Sequence, residues 1–357
     1  MKKILTLLLS LTLVVSMFAA CGKKNDADDT KDNVSTPAPT TAAGADVTEG
    51  AAKTGLAVIN SVAKSASAGD KDGVAEISST VVAVLVGEDG KIIDAKIDAA
   101  QTKINFSKEG KLITDLATAF KSKQELGAEY GMVKNSGIGK EWFEQANALA
   151  AYVKGKTVEE VKGIAVNETG APADADLAAS VTIKIGDYIA AIEKAVANAQ
   201  VLGASSADKL GLAITTDIAK STDVTADKEG LAQAYSFYAA TTTSADGKIT
   251  SCLLDSSQAG VNFDATGTIT TDLTVAPQTK QEIKEGYGMG KVSGIGKEWY
   301  QQANAFAAYA TGKTVDEVKG IALTETGAPS DADLAASVTV KVGSFLTVIE
   351  KAVANAK

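Results

Sequence analysis

The segments Ser136-Gly137-Ile138-Gly139-Lys140 and Ser293-Gly294-Ile295-Gly296-Lys297 carry the glycines and lysine of a phosphate-cradling loop. That loop needs Gly-x-x-x-x-Gly-Lys followed by Ser or Thr. Here Lys134 stands at the first glycine position and Glu141 follows the lysine, so a tight turn is the expectation. Trp142 and Trp299, two residues further on, have the flat rings that stack on planar ligands or fill cores. Asp174 and Asp176, with Asp331 and Asp333, suggest a calcium loop, but the glycine and distal glutamate of an EF-hand are missing. They read instead as carboxylates near a helix start, where the macrodipole favours negative charge. All 35 basic residues are lysine and there is no histidine. Ser-His-Asp and Cys-His catalysis, histidine metal sites and histidine-ligated haem are thereby excluded, and no catalytic or metal-binding residue is expected. A net charge of −9 repels nucleic acid, whose binding rests on neutralising phosphates.

These residues recur because the chain repeats. A shift of 157 positions aligns residues 70–200 with 227–357 without a gap, and 55 of the 78 positions in 123–200 are identical. Gly55-Leu56-Ala57 matches Gly211-Leu212-Ala213 at a shift of 156, after a single one-residue slip. The organisation expected is α+β: two tandem similar domains, 54–203 and 204–357, each an antiparallel sheet built on a β-hairpin with packed helices. Val74–Val86 is rich in β-branched residues, Glu88-Asp89-Gly90 forms a turn and Lys91–Ile97 continues the pattern; Asp246-Gly247 marks the second hairpin. Trp142, Ala146, Leu149, Ala150 and Val153 fall at helical spacing, as do Trp299, Ala303, Phe306 and Ala307. Thr157 to Glu160 and Thr314 to Glu317 are capping boxes. A last helix has Tyr188, Ile189, Ile192, Ala195 and Val196 on one face, with Asp187 and its counterpart Ser344 expected as N-caps. Cys252 corresponds to Ala95 and is expected as a buried small hydrophobe.

At the N-terminus, Lys2 and Lys3 precede an apolar stretch from Ile4 to Phe18, then Phe18-Ala19-Ala20-Cys21. Residues 1–20 resemble a bacterial lipoprotein signal, which implies diacylglycerol on Cys21 and a membrane lipid anchor on the extracellular face. Residues 21–53, with Pro37 and Pro39 and no apolar periodicity, read as a disordered tether. Its reach, about 5–6 Å times the square root of length, is roughly 30 Å. With Cys21 acylated, Cys252 remains alone, so no intramolecular disulfide is expected.

Asp176-Leu177-Ala178-Ala179-Ser180-Val181-Thr182, followed by a helix carrying Ala191-Ile192-Glu193-Lys194-Ala195, resembles the FMN-binding domain family. Its members carry FMN on a threonine within Asp-x-x-Ser-Gly-Ala-Thr. Laid on that pattern, Asp176 takes the place of the aspartate and Thr182 that of the flavinylated threonine; Asp333 and Thr339 do so in the second copy. Ala179, Ser180 and Val181 replace Ser-Gly-Ala. The Asp-Gly-Lys-Ile segments at Asp89–Ile92 and Asp246–Ile249 also look like that family's early strands. The resemblance implies an extracellular electron-transfer flavin lipoprotein of the Gram-positive kind: covalent FMN on Thr182 and Thr339, loaded by a flavin transferase, fed by a membrane electron donor, and a carrier rather than a turnover enzyme. Trp142 and Trp299 are the candidate aromatic neighbours of the flavins. The reading from residue pattern alone is different: Val181, Ile183 and Ile185 alternate with Thr182 and Lys184, which makes Thr182 the exposed hydroxyl of a strand. It accompanies the alternative function, a non-redox surface lipoprotein acting as a binding or spacer module.

Overall fold

The computed structural model describes residues 50–357. Cys21, the expected signal and most of the expected tether lie outside the described residues. The first half runs β1 (Ala51–Ser61), β2 (Gly73–Gly87), β3 (Ile92–Phe106), α1 (Lys123–Leu126), α2 (Trp142–Tyr152), α3 (Val158–Lys162), α4 (Ala175–Ala178) and α5 (Gly186–Ala197). After β4 (Gln200–Ser205), the second repeats it as β5 (Lys209–Asp217), β6 (Gly230–Thr243), β7 (Ile249–Phe263), α6 (Lys280–Ile283), α7 (Trp299–Ala310), α8 (Val315–Lys319), α9 (Ala332–Ala335) and α10 (Gly343–Ala354). The architecture is α+β, with antiparallel sheets ordered β3-β2-β1-β4 and β5-β6-β7.

Each expected hairpin forms. Gly90 (φ 76°) and Gly247 (φ 80°) supply the left-handed residue of the turns, and the Asp89 carboxylate accepts the Lys91 N–H. The run Val81–Val86 is apolar at every position because both faces of β2 are covered. Val82, Val84 and Val86 pack under α2 and α5, while Val81, Ala83 and Leu85 face the other sheet. Four layers result, helices, sheet, sheet, helices, with apolar clusters between the sheets drawn from both halves. Phe106 and its counterpart Phe263 stack there at 4.1 Å and 8°, a residue and its own repeat meeting near a pseudo-twofold axis. The relation recurs at the rim, where Lys194 pairs with Glu282 at 2.6 Å and Lys351 with Glu125 at 2.5 Å.

The slip-matched glycines have a packing cause. A Cβ on Gly55 would lie 2.0 Å from the Ala195 carbonyl oxygen, and one on Gly211 2.0 Å from that of Ala352. The C-terminal turn of α5 or α10 thus rests directly on the strand backbone, and Asn198 and Asn355 donate to the carbonyls of Leu56 and Leu212.

Several boundaries differ from expectation. β1 begins at Ala51, inside the expected tether, because Ala52 and Thr54 are buried. The division expected at 203 falls within β4, which follows the first half's last helix yet pairs with β1, placing Lys53 opposite Val201. Asp187 and Ser344 are not N-caps: α5 and α10 start at glycines behind Ile185 and Val342. Burial of Ile185 and Val342 sets the entry of each helix, and Asp187 falls in the first turn. The capping boxes at Thr157 and Thr314 form as expected.

Candidate functional site

The segment from Ser180 to Ile185 is a loop between α4 and α5, not a strand, although Val181 and Ile185 are buried and Thr182 and Lys184 exposed. Two anchoring residues four apart satisfy the alternation without any ladder. The loop is held from beneath by Gln145, which is wholly buried on α2. Its Oε1 accepts the N–H groups of Thr182 (2.8 Å) and Ile183 (3.2 Å) and the Thr182 hydroxyl (3.2 Å). Its Nε2 donates to Ser136 Oγ and to the Lys140 carbonyl, both at 3.2 Å. One amide side chain therefore ties the loop to the turn before α2. Gln302 holds Thr339 and Val340 at the same distances, 2.8 and 3.2 Å.

The expected turn at Ser136–Lys140 is present, with Gly139 at φ 63° and the Ser136 hydroxyl accepting the Lys140 N–H. Lys140 Nζ reaches Ser180 Oγ at 3.3 Å, and Lys297 reaches Ser337 at 3.0 Å. Asp174 and Asp331 cap α4 and α9 by accepting the Leu177 and Leu334 N–H groups. Asp176 and Asp333 lie exposed in the first turns of those helices. The exposed Thr182 and Thr339 therefore sit just before the N-termini of twelve-residue helices, with an exposed aspartate six residues upstream of each.

Trp142 and Trp299 are 2% and 3% exposed. They sit in the core behind the loop, on the helices that carry Gln145 and Gln302. Trp142 Nε1 donates to the Tyr188 hydroxyl at 3.0 Å, and burial pushes the Tyr188 phenol up to about 12. In the second half Phe345 replaces Tyr188 and meets Trp299 edge-on at 5.7 Å.

The residue pattern did not single out three further groups. Asp98 and Asp255 are buried carboxyls that accept the backbone N–H groups of Gln124 and Gln281 at the starts of α1 and α6. Burial outweighs those hydrogen bonds and pushes them up to about 6 and about 7. Lys280 is buried with its ammonium 4.5 Å from the Tyr235 and Tyr287 ring centres and 5.0 Å from that of Trp299, and it donates to the Tyr235 hydroxyl at 2.8 Å. Burial lowers it to about 7. The sequence signal that could have found Gln145 and Asp98 is that a polar residue on an otherwise apolar face is identical in both copies. Cys252 is buried, as expected, and burial pushes its thiol up to about 12, away from nucleophilic reactivity. Among the described residues no group of three or more acidic or cysteine side chains could hold a metal ion, and no helix is long and apolar enough to cross a membrane.

No protein-family profile matches the chain, and no solved structure does. A stretch of 102 residues is 32% identical to a chlorophenol reductase of Desulfitobacterium hafniense. The match covers 24% of this chain and 30% of that protein, so the chain spans about a third of that relative's length.

Proposed function

We propose that the protein is a membrane-anchored extracellular flavoprotein that carries FMN covalently on Thr182 and Thr339, one in each of two similar domains, and relays electrons to extracellular acceptors. The observation that supports this reading is the placement of both threonines: an exposed threonine on a loop whose backbone is pinned by a buried glutamine, four residues before the start of a twelve-residue helix. The donor set fits the group. A phosphodiester at Thr182 Oγ1 keeps one negative charge, and among the described residues the hydrogen bond to Gln145 is the only one the hydroxyl gives up. Two backbone N–H bonds to Gln145 remain and hold the attachment point in place. Bound there, FMN would supply reversible electron storage. Lys140 and Lys184 add positive charge near the attachment point without the arginine clamp that a phosphate held only by ionic contacts commonly uses. The exposed Asp176 and Asp333 are free to engage a flavin transferase. Trp142 and Trp299 support the loop from the core rather than lying on the surface. Cys21, lipidated, would tether the body at the outer face of the membrane beside an electron donor.

The second reading is a non-redox surface lipoprotein, a binding or spacer module. The shared cores between the sheets favour its spacer form, since they make a rigid block. One experiment separates the two: intact mass of the full chain co-expressed with a flavin transferase. The flavoprotein gains two FMN moieties, Thr182→Ala or Thr339→Ala gains one and the double variant none. No added mass in the parent leaves the spacer or binding module in front.

A further inference from the structure

The two halves differ beside the loop threonines. In the second half a cleft of about 470 Å³ runs along the N-terminal turn of α10, lined by Tyr235, Phe237, Asp217, Leu323, Lys341 and Ser344 among others. Thr339 precedes Lys341, one of the lining residues, by two positions, so the Cα atoms of the two lie within about 7 Å of each other. Tyr235 and Phe237 project from the same face of β6 with ring centres 4.6 Å apart. Phe237 is braced by Phe345 edge-on at 6.0 Å, and the Tyr235 hydroxyl is held by Lys280. The cleft thus has a preformed aromatic wall. At the corresponding positions of β2 the first half has Ser78 and Thr80. A flavin beside Thr182 therefore meets no such wall on its strand.

We propose that this cleft receives the isoalloxazine ring of the flavin on Thr339 against Tyr235, while the flavin on Thr182 remains in solvent, so that the two stations are inequivalent. The inference rests on the covalent-FMN reading above. A flat ring with one apolar and one polar edge suits a cleft whose lining combines the apolar Phe237 and Leu323 with the polar Asp217, Lys341 and Ser344. Offset contact with a tyrosine ring is a favoured geometry for an aromatic pair. The first half cannot copy it, because serine and threonine offer no π surface.

The test uses the full chain loaded by a flavin transferase, as Thr182→Ala, with flavin only on Thr339, and as Thr339→Ala, with flavin only on Thr182. Intact mass first establishes one FMN in each. Flavin emission per bound FMN is then compared, together with its quenching by iodide, because contact with tyrosine suppresses emission and burial excludes iodide. The expected result is severalfold weaker emission and weaker iodide quenching in Thr182→Ala. Adding Tyr235→Ser, the residue of the first half at a half-buried position, is expected to raise both toward the Thr339→Ala values. Equal emission and equal iodide quenching with one FMN on each protein overturns the inference and leaves covalent FMN standing. Absence of FMN mass from both overturns the flavin reading and the inference with it.

Discussion

Replacing Gln145 with leucine tests the idea that one buried amide organises the candidate site. Leucine is close to glutamine in volume, so the change leaves little cavity and isolates the polar loss. Two hydroxyls in the network, those of Thr182 and Ser136, can turn elsewhere. Three backbone groups cannot: the N–H groups of Thr182 and Ile183 and the carbonyl of Lys140. A buried group that loses its partner costs about 1–3 kcal/mol. Thr182 is exposed and Ile183 half-buried, which lets water reach their amides and sets the figure at the low end. Three groups at about 1 kcal/mol each give a destabilisation of about 3 kcal/mol. With a urea slope of about 3 kcal/mol/M, the unfolding midpoint of Gln145→Leu is expected to fall by about 1 M with the slope unchanged. In the presence of a flavin transferase the same variant is expected to lose FMN from Thr182 and keep it on Thr339, read by intact mass. A midpoint within about 0.2 M of the parent, less than about 0.6 kcal/mol at that slope, refutes the reasoning. It would mean that the loop amides find water as readily as they find Gln145.

Phe106→Ala removes one ring of the stack between the sheets and is expected to cost about 3–5 kcal/mol. Because that core is shared, unfolding followed by Trp142 alone (with Trp299→Phe) and by Trp299 alone (with Trp142→Phe) is expected to shift together, and separated midpoints would refute the shared core. Gly55→Ala sets a methyl 2.0 Å from the Ala195 carbonyl oxygen and is expected to cost more than the ordinary Gly-to-Ala gain of about 0.4–1 kcal/mol returns; a midpoint equal to or above the parent's in urea would show that α5 moves away freely. Asp255 is raised from 3.8 to about 7, so the folded state holds a proton that the unfolded state has released between those values. The stability of the parent relative to Asp255→Asn is therefore expected to fall as pH rises from about 4 to about 7 and to stay level above that, and a difference that rises across this window would reverse the assignment.

Much of the fold was legible in the sequence because its signals are local or repeated. The 157-residue shift showed that the second half repeats the sequence of the first, Asp89-Gly90 and Asp246-Gly247 marked the hairpins, and Thr157 and Thr314 announced their helices through bonds that span three residues. The apolar period placed Trp142, Ala146 and Leu149 on one buried face. Tertiary structure decided what depends on partners distant in the chain. No local pattern says that Phe106 meets Phe263, that β4 at the far end of the first half comes back to pair with β1 at its start, or that Lys194 closes on Glu282. The alternation around Thr182 admitted a strand, and only the position of Gln145, thirty-seven residues earlier, turned those amides inward and made the segment a loop. The cleft beside Thr339 likewise needs Tyr235 on a strand and Lys341 before a helix to be brought together. Side-chain type and short-range spacing carry backbone preference, whereas the choice between a surface and a site is made by which distant groups satisfy a buried donor or cover an exposed face.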